Sequence, residues 1–141
     1  MADTGLELYR QQIVGAVNAA KSGFTDYSVE IEYDNRQNID FSTLENPHLC
    51  AEIMFTGGSR GDLSNKPVHK IVGMLVLTSK VREGKGPADC YRLLEHFYPK
   101  IQNQVVGSVR FEMADFDRPR LVTGWWGVSA LIPFRINKFS T

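Results

Sequence analysis

The chain has no apolar run near the ~18 residues that a membrane-crossing helix needs, and no basic-then-apolar leader opens it. The expectation is a soluble protein that is not exported by the usual route. Neither charge is in excess: 16 Lys and Arg balance 16 Asp and Glu, which weighs against a general nucleic-acid binder held by phosphate contacts. Cysteine is scarce. Cys50 and Cys90 each fall inside an expected element, so two reduced, buried thiols are expected rather than a disulfide. No internal repeat or low-complexity tract is present. What remains, 43% hydrophobic and 23% charged over 141 residues, is enough apolar material for one core and one domain.

Signatures of catalysis and cofactor binding are also missing. Gly57-Gly58-Ser59-Arg60-Gly61 is glycine-rich but lacks the Gly-x-x-x-x-Gly-Lys-Ser/Thr spacing of a phosphate cradle. Gly84-Lys85-Gly86 has too few glycines, and no acidic partner, for a dinucleotide site. His48 and Cys50 stand two apart, while Cys90 and His96 diverge by about 240° around a helix, so neither pair has zinc spacing. Gly57-Gly58-Ser59-Arg60-Gly61 also spells Gly-x-Ser-x-Gly, but no helix-opening pattern follows it, as a nucleophile elbow requires. Glu30 and Glu32 alternate outward on one strand, where paired carboxylates are usually just solvated. The reading is a protein that is not an enzyme and needs no metal or cofactor.

The organising stretch is residues 69–99. Ile71 to Leu77 is apolar on both pleat faces apart from Gly73, which predicts a strand buried from two sides. A polar turn, Glu83 to Pro87, leads to Cys90, Leu94, Phe97 and Ile101 on one helical face. Pro87 suits the first turn, Asp89 the positive end of the helix dipole, and Pro99 the helix end or a kink.

Upstream, Leu6, Tyr9, Ile13, Ala16, Val17 and Ala20 form a helical stripe. Thr4 and Glu7 suit a capping box, and Gly23 is a stop. Tyr27 to Tyr33 alternates as a strand with Val29, Ile31 and Tyr33 inward, and Asp34 to Pro47 reads as an irregular loop. Leu49 to Phe55 is a second strand, followed by a mobile arm from Gly57 to Pro67.

Downstream, Val105 to Phe116 reads as a strand with Val109, Phe111 and Met113 inward, and Asp117-Arg118-Pro119 as a turn. Leu121 to Ile136 is a last strand with Trp126 on the core face and Trp125 on the other. Its Pro133 implies an edge or a bulge. The prediction is a single α+β domain spanning 1–141: a mixed or antiparallel sheet of about four to five strands with two packed helices.

Charge is arranged unevenly along this neutral chain. Up to residue 35, six acids face two bases; from 57 to 85, six bases face two acids. A chain with an acidic and a basic segment can meet copies of itself head to tail, and such contacts close into rings. Merely solvated faces remain the alternative.

The order of several short pieces resembles the small tail-terminator-like proteins of tailed bacteriophages. These are the N-terminal helix, Asn35-Arg-Gln-Asn-Ile-Asp-Phe41 leading to Asn46-Pro47, the arm with Gly57-Gly58, and Lys70-Ile-Val-Gly-Met-Leu-Val76. Gly84-Lys-Gly86 then opens the second helix, and Gly124-Trp125 leads to Ile132-Pro-Phe134. The cysteines and the second tryptophan depart from that pattern. The resemblance implies a virion structural protein of the tail, assembled in the host bacterial cytoplasm. It would form a ring, hexameric in the virion, that caps the tail tube, stops its polymerisation and offers a docking face to the head connector. Partners would be further copies of itself, the tail tube protein and the head–tail connector protein, with DNA passing through the lumen; no membrane and no cofactor are implied.

Candidate contacts on this view are the bases Arg60, Lys66, Lys80, Arg82 and Lys85, with Glu30, Glu32 and Asp34 as their acidic counterpart. Trp125 is a candidate packing anchor at the subunit boundary. Rival readings are another tail tube or head-completion component, or a small-ligand binding module using a cleft beside Gly84-Lys-Gly86.

Overall fold

The structure, a computed structural model, describes residues 6–33, 46–60, 68–82, 84, 87–122 and 124–139, with the backbone alone described at 57–60, 68–70, 122 and 137–139. Two helices lie on one face of a single mixed sheet. The elements are α1 (Leu6–Ala20), β1 (Ile31–Tyr33), β2 (His48–Arg60), β3 (Val68–Arg82), α2 (Ala88–Ile101), β4 (Val105–Val106), β5 (Val109–Phe111), β6 (Asp115–Phe116), β7 (Arg120–Val122) and β8 (Trp125–Phe139). The sheet order is β1-β2-β3-β8-β5-β4, with β6 and β7 also paired to β8. The α+β class is as expected, but the sheet has eight strands, not four to five.

Three long antiparallel strands, β2, β3 and β8, make the body of the sheet. Their core-facing residues include Leu49, Ala51, Leu75, Leu77, Ala130, Ile132 and Ile136, all buried. Against them α1 sets Tyr9, Ile13, Val17 and Ala20, and α2 sets Cys90, Leu93, Leu94, Phe97 and Ile101. Each set repeats at three- and four-residue spacing, so it forms one continuous stripe. Leu6, expected in the stripe, is 52% exposed, and Thr4 lies outside the described residues. Glu7 instead pairs with Arg10 at 2.7 Å. Gly23 ends the first helix region with φ +87°, as its stop role requires. Pro87 stands just before α2 and Pro99 lies within its last turn.

Several expectations are corrected by pairing that sequence does not display. The strand read over Tyr27–Tyr33 is regular only at Ile31–Tyr33, where it runs parallel to β2. Gly57 to Arg60 is not an arm: these residues continue β2 opposite Val72 to His69 after a bulge between Phe55 and Gly57. The rest of the supposed arm, 61–67, lies outside the described residues, as does most of the 34–47 loop.

The strand read over Val105–Phe116 is broken into β4, β5 and β6. Val109 and Phe111 are buried as expected, but Met113 follows the end of β5 and is 68% exposed. The Leu121–Ile136 run is a hairpin, in which β7 pairs with the start of β8 and Gly124 has φ +82°. β8 is interior, not an edge. Pro133 accepts the Glu112 N–H at 2.8 Å on the side where β5 has ended and β6 has not begun. Its missing N–H therefore faces a gap in the pairing and leaves no ladder bond unmade.

Among the described residues, helices cover β3 on one face only. Both helices pack on its Leu75, Leu77 and Val81 side, while Val72, Met74 and Val76 on the other side are half-buried, not enclosed. Gly73 sits where three strands crowd: a Cβ there would lie 2.3 Å from the Met54 carbonyl oxygen and 2.4 Å from Phe134 Cζ. Phe134 uses that space to reach Phe55, at 5.6 Å between ring centroids, and Phe111, at 6.2 Å. Gly73→Ala is expected to destabilise the fold by roughly 3 kcal/mol, read as a lower urea midpoint with the slope unchanged.

Candidate functional site

The sheet face turned away from the helices gathers most of the chemistry-bearing side chains. Strand pairing fixes its rows. Glu32, Cys50, Thr78 and Ser129 form one row across β1, β2, β3 and β8, closed by a Thr78–Ser129 hydroxyl hydrogen bond of 2.8 Å. The next row toward the sheet end holds His48, Lys80 and Gly127; the last pairs Arg82 with Trp125. Gly127 has a structural reason: a Cβ would stand 3.1 Å from Lys80 Cγ and 3.2 Å from the Ser79 carbonyl oxygen. The lysine stem therefore has the room that a side chain there would take. His48 and Trp125 meet edge to face, with ring centroids 5.1 Å apart.

Between β1 and β3 this face dips into a cleft of about 210 Å³ lined by Glu32, Cys50, Ala51, Glu52, Ile53, Met54 and Lys80. Cys50 Sγ lies 3.5 Å from Glu32 Oε2. Burial pushes the Cys50 thiol up to about 12; the neighbouring Glu32 carboxylate adds to the rise, and Lys80 works against it. Burial also pushes the Cys90 thiol up to about 11. Both cysteines are free, buried and protonated at neutral pH. Burial, helped by the Lys80 charge, lowers His48 from 6.5 to about 4, so its imidazole is neutral. At the edge of the sheet the half-buried Tyr33 hydroxyl, raised to about 12 by desolvation, donates to Asn18 Oδ1 and ties β1 to α1.

Of the contact residues expected from sequence, Lys80, Arg82, Trp125 and Glu32 come together here. Glu30 lies just before β1, half-buried, with its carbonyl accepting the Leu49 N–H at 3.0 Å. Arg60 ends β2, far along the strand from Lys80, and its side chain is outside the described set. Lys66, Lys85 and Asp34 are outside the described residues altogether. Glu32 and Lys80 line one cleft, so for this pair the acidic and basic segments are neighbours within a subunit, not separate faces. Sequence reasoning passed over His48 and Cys50 except as a metal pair; their alternation with Leu49 and Ala51 was the signal that both point outward. Among the described residues, no group of three or more His, Cys, Asp or Glu side chains could hold a metal ion.

A second, apolar groove of about 270 Å³ runs between α2 and β6, lined by Tyr91, Leu94, Glu95, Tyr98 and Phe116. Tyr98 and Phe116 stack edge to face at 5.0 Å, and Tyr91 meets Trp126 at 5.8 Å. The tryptophans thus divide between the two sheet faces, Trp126 beside α2 and Trp125 beside His48.

No protein-family model matches the sequence, and no curated protein matches it. The fold itself recurs among solved structures. One such chain, 11% identical, superposes with a TM-score of 0.70 over 99% of this chain and 100% of its own length. At that identity the likeness shows the fold alone.

Two measurements check the electrostatics of the outward face. Below about pH 6.5 the unfolded chain takes up a proton on His48 that the folded protein does not accept until about pH 4. Stability therefore falls through that window as pH drops, by roughly 2 kcal/mol from this group. His48→Leu is expected to have a shallower loss of melting temperature between pH 6.5 and 4 than the parent. At pH 7.5, a thiol reagent such as dithiobis-nitrobenzoate is expected to label neither cysteine rapidly until denaturant is added; fast labelling of the native protein would contradict the buried, protonated thiols.

Proposed function

We propose that the protein is a tail-terminator-like structural subunit: a ring former that caps a phage tail tube, stops its growth and presents its other face to the head connector. The order of the sequence motifs supports this reading. So does the observation that carries it, the grouping of Lys80, Arg82 and Trp125 in adjacent rows at one end of a sheet face that no described helix covers. An aromatic side chain flanked by long cationic ones is the composition of a contact anchor, since Trp and Arg are enriched where protein surfaces bind one another. Because Lys80 shares a cleft with Glu32, the contact is weighted toward Arg82 and Trp125. On this proposal the protein works by shape and contact, in the virion tail, with further copies of itself, tube subunits and connector subunits as partners.

The small-ligand alternative is less well supported. The Glu32–Lys80 cleft, at about 210 Å³, is below the ~300–1,000 Å³ typical of ligand pockets. The Gly84-Lys-Gly86 elbow lies outside the described residues except at Gly84. Ring and tube contact can be tested directly. Lys80→Glu with Arg82→Glu is expected to leave the melting temperature near the parent's while abolishing the cap on tail tubes, seen by electron microscopy as tubes of unregulated length. Correct tube lengths with the folded double variant would remove these residues as contacts, and correct lengths without the protein at all would overturn the function.

A further inference from the structure

The outward sheet face carries a charge pattern that is complementary to itself. Its middle is apolar: Met54, Met74 and Pro133 share one row, and Val76 and Leu131 lie in the next, which begins at Glu52. Met54 is 45% exposed; Met74, Val76, Leu131 and Pro133 are half-buried, and no helix among the described residues packs on them. At one corner, on β1 and β2, stand Glu32 and Glu52. At the diagonally opposite corner Arg110 on β5 faces Arg135 on β8, in the row of Val72. Glu112 answers Arg135 at 3.2 Å; Arg110 is exposed and makes no ion pair among the described residues. Two arginines directly opposite on one sheet face repel, an arrangement that an acidic surface from outside relieves.

We propose that this face binds a second copy of the same chain, sheet against sheet, about a two-fold axis that crosses β3 between Met74 and Val76 and runs diagonally to the strands. Such an axis lays the Glu32–Glu52 corner of each copy over the Arg110–Arg135 corner of the other and puts the two apolar strips in contact. The strands of the two copies then cross near a right angle, one of the two ways in which sheets pack face to face. An axis parallel to the strands would set Glu52 against Leu131 instead, which is why the diagonal is preferred.

The area suffices. Nine residues of each of the three long strands, at ~3.3 Å per residue and ~4.8 Å spacing, with the three residues each of β1 and β5 at the two edges, cover roughly 520 Å² per copy, or about 1,050 Å² in total, just above the ~1,000 Å² that a specific interface needs. Lys80, Arg82 and Trp125 lie at the end of the face, beyond the overlap. The dimer does not rest on the tail-terminator reading: a protein with no part in a tail would pair in the same way, and a terminator that stayed monomeric would remove only the dimer.

Charge exchange tests it. Sedimentation equilibrium of the parent is expected to show a monomer–dimer equilibrium. Glu52→Arg and Arg110→Glu, each at an exposed position, are each expected to raise the dissociation constant at least about tenfold. An equimolar mixture of the two variants is expected to recover dimers, because a basic face then meets an acidic one. A dilution series of the labelled parent protein followed by amide NMR shifts gives a reading without mutation, and the changes are expected at Met54, Met74, Val76 and Leu131. A monomer at every concentration, an oligomer indifferent to both reversals, mixtures that fail to recover, or shifts confined to α1, α2 or the Tyr91–Phe116 groove would each overturn the proposal.

Discussion

The register of β3 between β2 and β8 is the constraint from which the other features follow. Side chains alternate with period two, so a slip of one residue on either side would exchange the core and outward faces of a whole strand. Gly73 helps to hold that register. Only at a residue without a Cβ can the Met54 carbonyl and the Phe134 ring come so close, and a shift by one would bring Val72 or Met74 to that point. The bulge after Phe55 then lets β2 continue to Arg60 against β3 without carrying Phe55 off the core face. Fixed in this way, the ladder decides what lies beside what: Cys50 with Thr78, His48 with Lys80, Arg82 with Trp125.

A sheet with both helices on one side has two faces of different character. The covered face is continuously apolar apart from Ser79, and it holds the large buried rings and aliphatic side chains. The other face must balance its own polar groups: Thr78 bonds Ser129, Glu112 pairs with Arg135, and Glu32 takes the Cys50 thiol. Between these polar groups lie methionines, valine, leucine and proline that no described element covers. Buried aliphatic area is the main stabilising term available to a protein surface that meets another, and the polar groups around it set the orientation. That composition suits a contact surface, and both proposals above draw on it at different ends.

The parts of this arrangement that depend on local periodicity were legible in the sequence. The α1 and α2 stripes, the inward set of β8 and the division of Trp125 from Trp126 all follow from spacing alone. What failed depended on neighbours far along the chain. Val72, Met74 and Val76 read as buried because apolar alternation on both faces cannot say how many layers cover a strand. Gly57-Gly58-Ser59-Arg60 reads as a loop by composition, yet it is a strand because β3 lies alongside. Pro133 reads as an edge signal, and only the gap between β5 and β6 shows how an interior strand tolerates it. The charges behave similarly: segments that are separate in sequence meet in space, so Glu32 and Lys80 share a cleft, while the arginine pair across the face, Arg110 and Arg135, belongs to neither segment.

One pair on the outward face bears on whether that face does chemistry. His48 and Cys50 are two residues apart on one strand and point the same way, the juxtaposition from which a thiolate–imidazolium nucleophile is built. Such a pair works only if the thiol is lowered and the imidazole raised, each charge stabilising the other. Here burial moves them in opposite senses, the thiol up to about 12 and the imidazole down to about 4, so at neutral pH neither carries charge. Lys80 cannot reverse this, since the field that favours a thiolate at Cys50 also disfavours an imidazolium at His48. With the Cys50 thiol held neutral against Glu32, sulfur and imidazole present uncharged surfaces there, and the charges on Lys80, Arg82, Glu52 and Arg110 lie around them.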